Sequence, residues 1–239
     1  MGGGGTEGVE RILVVTAHPD DVDFGAAGSV ATWTDAGIEV VYCIVTDGDA
    51  GGFDPDVPRS EIPRIRRAEQ EAAAKVVGVD DVRFLGYPDG RLEASLDLRR
   101  DVSRVIRSVR PDRVVCQSPE RNWERIYASH PDHMAAGQAS VCAVYPDARN
   151  AFAFPELLAE GFEPHAVPEL WVQGRAAEQV VDITDVFDRK MTALRCHVSQ
   201  LTDGAEMEER IRAWTAGTAR AAGLEEGRLA EAFHVVDTR

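Results

Sequence analysis

The sequence of 239 residues has no apolar stretch approaching the ~20 residues that cross a bilayer as a helix. Its N-terminus lacks the basic and apolar regions of a signal peptide, and residues 1–8 (MGGGGTEG) read as a flexible leader. Positive charge is scarce. Lys and Arg number 26 against 41 Asp and Glu, a formal net charge of −15 with a pI near 4.8. Such a surface repels phosphate backbones and anionic lipid, so neither nucleic acid nor a membrane is an expected partner. The four cysteines, Cys43, Cys116, Cys142 and Cys196, show no CxxC spacing. A structural zinc built from them is not expected. They read as reduced, mostly buried thiols, which fits a cytoplasmic protein. The first strand-like run is not followed by GxGxxG, so the fingerprint of a dinucleotide-binding oxidoreductase is missing. Internal repeats, long linkers and low-complexity tracts after residue 8 are also missing, which favours one domain over residues 9–239.

Apolar residues make up 44% of the chain and charged residues 28%, enough to bury a core. The first half alternates strand and helix patterns. Residues 11–16 and 38–46 are apolar strand-like runs, with a small-residue helix expected over 25–36. A turn-rich loop covers 47–58, a helix 61–77 and a short strand 81–85, followed by a turn at 86–90. A second amphipathic helix covers 96–109, stopped by Pro111 before a fourth strand at 113–116. That alternation predicts a parallel sheet with right-handed crossovers. After a loop at 117–129, residues 130–145 read as a helix with His130 near its start, and 146–167 as an irregular loop. Strands are expected at 170–173, 179–183 and 232–236, and helices at 184–197 and 205–222.

Two short clusters stand out: Ala17-His18-Pro19-Asp20-Asp21 and His130-Pro131-Asp132-His133. Together they hold three of the six histidines. The first directly follows the first strand, where an open α/β sheet places its ligand site. Across the His18-Pro19 turn, His18 and Asp21 can converge on one point, with Asp20 nearby and free of any need to ligate. His130 and His133 are spaced to share one face of a helical turn, so one can ligate while the other points at a substrate. Two imidazoles and a carboxylate suit a catalytic divalent metal with a position left for water. A neighbouring carboxylate can take that water's proton, and an imidazole can stabilise the oxyanion or protonate the leaving amine. The plainer reading makes Asp20, Asp21 and Asp23 caps for the following helix. For His165 and His234 the structural reading is preferred.

These residues resemble the LmbE-like, or N-acetylglucosaminyl-phosphatidylinositol de-N-acetylase-like, family of zinc deacetylases. Thr46-Asp47-Gly48-Asp49-Ala50-Gly51 resembles the family's loop after the second strand, and Arg66-x-x-Glu69-x-x-x-Ala73 its RxxE helix. Phe84-Leu85-Gly86-Tyr87-Pro88-Asp89-Gly90 resembles its third-strand turn, and Ala193-Leu194-x-x-His197-x-Ser199-Gln200 its late helix. The ordered set is far more specific than any one element. The resemblance implies a single-domain, Rossmann-like α/β fold: a mostly parallel sheet flanked by helices. It implies that His18, Asp21 and His133 hold the metal, Zn2+ with Fe2+ as the alternative. Asp20 becomes the general base, His130 the electrostatic stabiliser or acid, and Asp132 a residue orienting an imidazole. Arg66 and Asp89 match positions that contact the sugar. Two departures are visible. Val22 stands where members usually have Glu, with Asp23 one place on. Ala128 stands where some place a tyrosine oxyanion partner, with Tyr127 one place earlier.

The expected activity is metal-dependent hydrolysis of an N-acyl group, in the first instance N-acetyl, from an amino-sugar conjugate such as an N-acetylglucosaminide. The substrate is a small molecule, with loops 48–60, 118–129 and 146–168 as pocket walls carrying Phe53, Trp123, Phe152 and Phe154. Family members often form homo-oligomers, and no stretch here marks the interface. Two alternatives remain. One is a metal- or sugar-binding relative without catalysis. The other is a non-haem Fe(II) oxygenase, whose facial triad two His and one carboxylate also satisfy, though on a scaffold that is commonly all-β. The roles of Asp23, His197 and Gln200 stay open at this level.

Overall fold

The apolar run at 11–16 becomes β1 (Arg11–Thr16), buried from Ile12 onward. The computed structural model describes residues 5–124, 126, 129–174, 178–201 and 204–239. β1 pairs in parallel with β2 (Glu39–Thr46) on one side and β4 (Arg113–Cys116) on the other. β3 (Asp81–Tyr87) extends the sheet beyond β2, and β5 (Glu169–Gln173) beyond β4, both parallel. β7 (Ala230–Asp237) then runs antiparallel to β5 and to the edge strand β6 (Gln179–Asp182). The order is β3-β2-β1-β4-β5-β7-β6 in one seven-stranded mixed sheet. Strand order reverses between β1 and β4, and the carboxyl ends at that point open the crevice in which such sheets bind ligands.

Helices cover both faces. One layer holds α1 (Asp21–Gly25), α2 (Ala27–Asp35), α3 (Ile62–Val76), α7 (Phe187–Leu194) and α8 (Gly204–Ala221). The other holds α4 (Leu96–Val109) and α5 (Pro131–Cys142), with the short α6 (Pro155–Ala159) following in the chain. The two-residue period of the strands divides the core. Ile12 and Val14 pack with Trp33, Met191 and Phe233, while Leu13 and Val15 pack with Leu98, Val102 and Ile106. This helix-flanked mixed sheet differs from the all-β scaffold common for the oxygenase alternative.

Several expected boundaries shift for local reasons. The helix expected at 25–36 is two helices broken at Ala26 (φ −145°, ψ 0°), and the first starts earlier, at Asp21. Gly28 lets α2 pack hard on Ile183, whose side chain would lie 2.8 Å from an added Cβ. The helix expected at 130–145 keeps α-geometry only to Cys142. It then widens over 143–147, where Tyr145 is extended ahead of Pro146. The irregular 146–167 stretch contains α6, begun by a proline at the first helical position. The 184–197 helix is a 3-10 turn, Thr184–Val186, followed by α7, and His197 lies outside it at φ −84°, ψ 59°. All four cysteines are free; Cys43 and Cys116 are buried, whereas Cys142 and Cys196 are only partly so. No helix among the described residues is long and apolar enough to cross a membrane.

A buried ion pair ties the last strand to the first helices. Glu231 on β7 accepts from the backbone N–H groups of Gly28 (3.1 Å) and Ser29 (2.7 Å) and from Ser29 Oγ (2.6 Å) at the start of α2. That is where a helix favours an anion. Lys190 of α7 donates to Glu231 (2.8 Å) and to the carbonyls of Asp23 (2.8 Å) and Phe24 (2.7 Å) at the end of α1.

Candidate active site

β1 ends at Thr16, and His18 to Asp21 turn over its carboxyl end into α1. β4 ends at Cys116; its Gln117 accepts from Ala17 N–H at 2.9 Å through Oε1 and pins the first cluster to the second strand end. α5 opens beside it. His130 caps α5, its Nδ1 accepting from Asp132 N–H at 3.2 Å. The two clusters therefore meet at the switch point. The ring centroids of His18, His130 and His133 lie 4.9–5.3 Å apart.

Three side chains form a tight triangle. His18 Nδ1 is 3.2 Å from His133 Nε2 and 3.2 Å from Asp21 Oδ2, and His133 Nε2 is 3.0 Å from Asp21 Oδ1. A tetrahedral ion with bonds of about 2.0–2.1 Å spaces its ligands by about 3.3 Å. The triangle thus has the size of one face of such a site. Two ring nitrogens that both point inward also suit a cation better than each other. The far nitrogen of His18, Nε2, faces Asp89 Oδ1 at 3.0 Å and Asp132 Oδ2 at 3.2 Å, so that a neutral ring carries its proton there and turns its Nδ1 lone pair inward. Asp132 is held in turn by Gly90 N–H (2.7 Å) and Leu92 N–H (3.2 Å) of the turn after β3. The described residues give two groupings able to hold a metal ion: His18, His130 and His133, and His18, Asp89 and Asp132. His18 belongs to both.

The electrostatics follow from this crowding. Burial works against charge on His18, but the Asp21, Asp132 and Asp89 carboxylates outweigh it and push its pKa up to about 12. Burial likewise opposes ionisation of Asp21, yet His133 and His18 hold its carboxyl well below the usual range. This is a site that calls for positive charge, which a divalent ion supplies. Asp20 behaves differently. Burial and the Asp21 carboxylate push its pKa up to about 7, against the opposing pull of Arg66, His197 and His18. Burial, then the charges of His18 and His133, lower the pKa of His130.

Asp20 sits at the N-cap position of α1 but makes no side-chain capping bond. Its Oδ2 instead accepts from Arg66 Nη2 at 3.1 Å. Arg66 is 3% exposed; Nη2 also donates to the Pro19 carbonyl (2.5 Å) and Nη1 to the Gly48 carbonyl (3.1 Å), while Nε has no partner among the described residues. Asp89, 8% exposed, lies 3.7 Å from the same guanidinium. Both residues expected at the sugar are thus packed against Asp20 and His18, not on a helix surface or an open turn. Tyr127 and Ala128 lie outside the described residues. Val22 packs into the core, and Asp23 turns inward, its Oδ2 accepting from Gln70 Nε2 (2.8 Å) and meeting His197 Nε2 (2.8 Å). The carboxylate at Asp23 accordingly supports these two buried groups and not the His18 triangle.

Sequence reasoning missed Gln70. Its Oε1 accepts from Asp20 N–H at 2.8 Å, and it is fully buried. The available signal was helical spacing: Gln70 follows Arg66 by one turn of α3, and Arg66, Gln70, Ala73 and Ala74 form its buried face. Beside the site a cavity of about 740 Å³ lies between the 49–57 loop, α3 and residues 198–201, lined by Phe53, Val57, Ile62, Ile65, Gln200 and Leu201. Trp123 and Phe152 are strongly exposed on the other two expected wall loops.

The comparisons with known proteins meet this geometry. Residues 13–144 match the family model PIG-L, GlcNAc-PI de-N-acetylase. The chain belongs to the PIG-L family. The diacetylchitobiose deacetylase of Thermococcus kodakarensis is 33% identical over 82% of this chain and 72% of its own. The structure of the N,N'-diacetylchitobiose deacetylase of Pyrococcus horikoshii superposes with a TM-score of 0.89 at 28% identity, covering 97% of this chain and 85% of that one. GalB, the 4-carboxy-2-hydroxymuconate hydratase of Pseudomonas putida KT2440, shares the fold at a TM-score of 0.78 and 22% identity, over 96% of this chain and 97% of that one. A PIG-L-like scaffold alone therefore does not choose the reaction, and the site must.

Proposed function

We propose that this protein is a zinc-dependent N-deacetylase that hydrolyses the acetamide of an N-acetylated amino-sugar conjugate. The observation that carries the reading is the Asp20 carboxylate, held by Arg66 beside the inward triangle of His18, Asp21 and His133. Family membership and relatives named as deacetylases of acetylated chitobiose support it. His18, Asp21 and His133 would hold the ion, for which ferrous iron is the alternative to zinc. When bound, the ion supplies a Lewis acid that acidifies water and polarises the acetyl carbonyl.

The chain's own residues supply the rest. Asp20 accepts the proton of the attacking water and returns it to the departing amine, so that the C–N bond breaks to acetate and a free amine. Arg66 fixes the carboxylate through Oδ2. With Nδ1 of His130 occupied by Asp132 N–H, its proton resides on Nε2, a donor for the developing oxyanion. Asp132 and Asp89 hold the His18 ring in one tautomer. The cavity beside Gly51 and Gln200 would receive the remainder of the conjugate. The acidic balance of the chain disfavours a polyanionic substrate.

The test measures zinc and iron in the wild type, Asp20→Ala and His133→Ala, and scores free amine from a panel of N-acetylglucosaminides. The reading expects about one metal and amine release in the wild type. Asp20→Ala should keep metal and lose turnover, and His133→Ala should lose metal. A wild type that binds metal but releases no amine from any N-acyl sugar would overturn the substrate class. A wild type that takes up no metal after reconstitution would overturn the reading of the triangle.

A further inference from the structure

Asp20 holds an unusual backbone conformation for a residue with a side chain, φ 94° and ψ −30°. This lies beyond the left-handed helical basin and persists only where the surroundings over-determine it. The grip comes from α3 at two points one helical turn apart. Arg66 binds the Asp20 carboxylate and the Pro19 carbonyl, while Gln70 Oε1 accepts from the Asp20 N–H at 2.8 Å.

Gln70 can do this only with its amide facing one way. A flipped amide would set its NH2 against the Asp20 N–H. The orientation is set behind it by Asp23, whose Oδ2 accepts from Gln70 Nε2 at 2.8 Å. His197 Nε2 meets the same oxygen at 2.8 Å, and Gln70, Asp23 and His197 are all 0% exposed. Asp23 Oδ1 and His197 Nδ1 have no hydrogen-bond partner among the described residues, so no other bond among them competes for the orientation of the pair. Lys190 further anchors Asp23 by its carbonyl.

We propose that Gln70, oriented by the buried Asp23–His197 pair, is a positioning residue that holds Asp20 in its positive-φ conformation and so aims its carboxylate for proton transfer. This rests on Asp20 being the general base. All three are fully buried and offer no surface to a substrate. Rotation about the Asp20 backbone displaces the carboxylate, whereas the Asp21 carboxylate is held independently by the His18 N–H at 2.7 Å and by the rings of His18 and His133. A misplacement of about 1 Å can cost about 100-fold in rate.

The experiment compares wild type, Gln70→Met, Gln70→Asn and Asp20→Ala for metal content, Tm, KM and kcat, with a crystal structure of each Gln70 variant that folds. Gln70→Met removes both amide bonds at similar length. Gln70→Asn keeps an amide too short to span them and guards against misfolding of the first. The expected result is a kcat lower by about 10- to 100-fold, with KM and metal content within about twofold and Asp20 out of the positive-φ region. Normal kcat with only a lower Tm means a structural role and overturns the proposal, as does an unmoved Asp20. Asp20→Ala separates the two levels. If it keeps turnover, the base reading fails and the proposal with it. If it loses turnover while the Gln70 variants do not, the base stands and the positioning role falls.

Discussion

Asp89 Oδ1 lies 3.0 Å from Nε2 of His18, on the side of the ring away from Asp21. The turn after β3 thereby reaches the same imidazole that β1 carries, and Asp132 of α5 meets the same nitrogen. Removing the Asp89 charge with its shape kept should weaken the ring's hold on an ion. Asp89→Asn is expected to lower zinc affinity by about 10- to 100-fold. Competition against a chelating indicator measures it; unchanged affinity would show that Asp132 alone orients His18.

Asp20→Asn keeps the size of the side chain and removes its ability to take a proton. Metal content should stay at the wild-type level while kcat falls by about 10²- to 10⁴-fold. Single-turnover amine release reads the chemical step directly.

Gly51 is the close-approach point of the 47–58 loop. A Cβ there would sit 2.3 Å from Arg66 Nη1 and 2.7 Å from Gln200 Oε1. Because Arg66 is buried and bonded at both ends, it has little room to yield. Gly51→Ala should cost about 1–3 kcal/mol of stability by overpacking and shift the guanidinium from Asp20. Denaturant unfolding gives the first and kcat the second.

Lys190 and Glu231 are both buried, at 0% and 3% exposure. Truncating one leaves the other charge in the core. Lys190→Met should destabilise the protein by about 3–5 kcal/mol, and adding Glu231→Gln should recover part of the loss. A double variant no better than Lys190→Met would show that the carbonyl bonds to Asp23 and Phe24 matter more than the charge pair.

Burial alone would lower the pKa of His197, but its hydrogen bond and charge attraction to Asp23 raise it above 6.5. A proton held more tightly in the folded state stabilises that state fully below the unfolded value of 6.5. The contribution is lost as pH rises through the higher folded value. The stability difference between wild type and His197→Gln should therefore be largest near pH 6 and shrink towards pH 9. A gap that is flat with pH would sink this.

That the two clusters meet was readable because a buried strand stops one residue before Ala17-His18, and because His130 and His133 open a helix after another strand. Those are local patterns. The sheet was readable as far as strand and helix alternated through β4. The direction of β7 was not, since an apolar run carries no sign of its orientation and only pairing with β5 and β6 sets it. Gln70 looked like any polar residue on a helix, and Asp23, which orients it, and His197, which meets Asp23, lie 174 positions apart. The aspartates after His18 invited a capping role that Asp20 does not fill, because Arg66 claims the carboxylate. Arg66 and Asp89 stood out by motif, but their burial against Asp20 and His18 came only with the folded chain.

Glu231 bonds Gly28 across 203 positions. β7 is made after every other strand of the sheet, yet it closes the support beneath α1 and α2. The ribosome therefore releases the strand that carries this support long after the histidines and aspartates of the site have emerged. During that interval the amino-terminal strands can pair, but the helices bearing Asp20 and Asp21 lack their anchor. With the triangle read as a metal site, the nascent chain should stay incompetent for an ion until its final strand arrives, late in biogenesis.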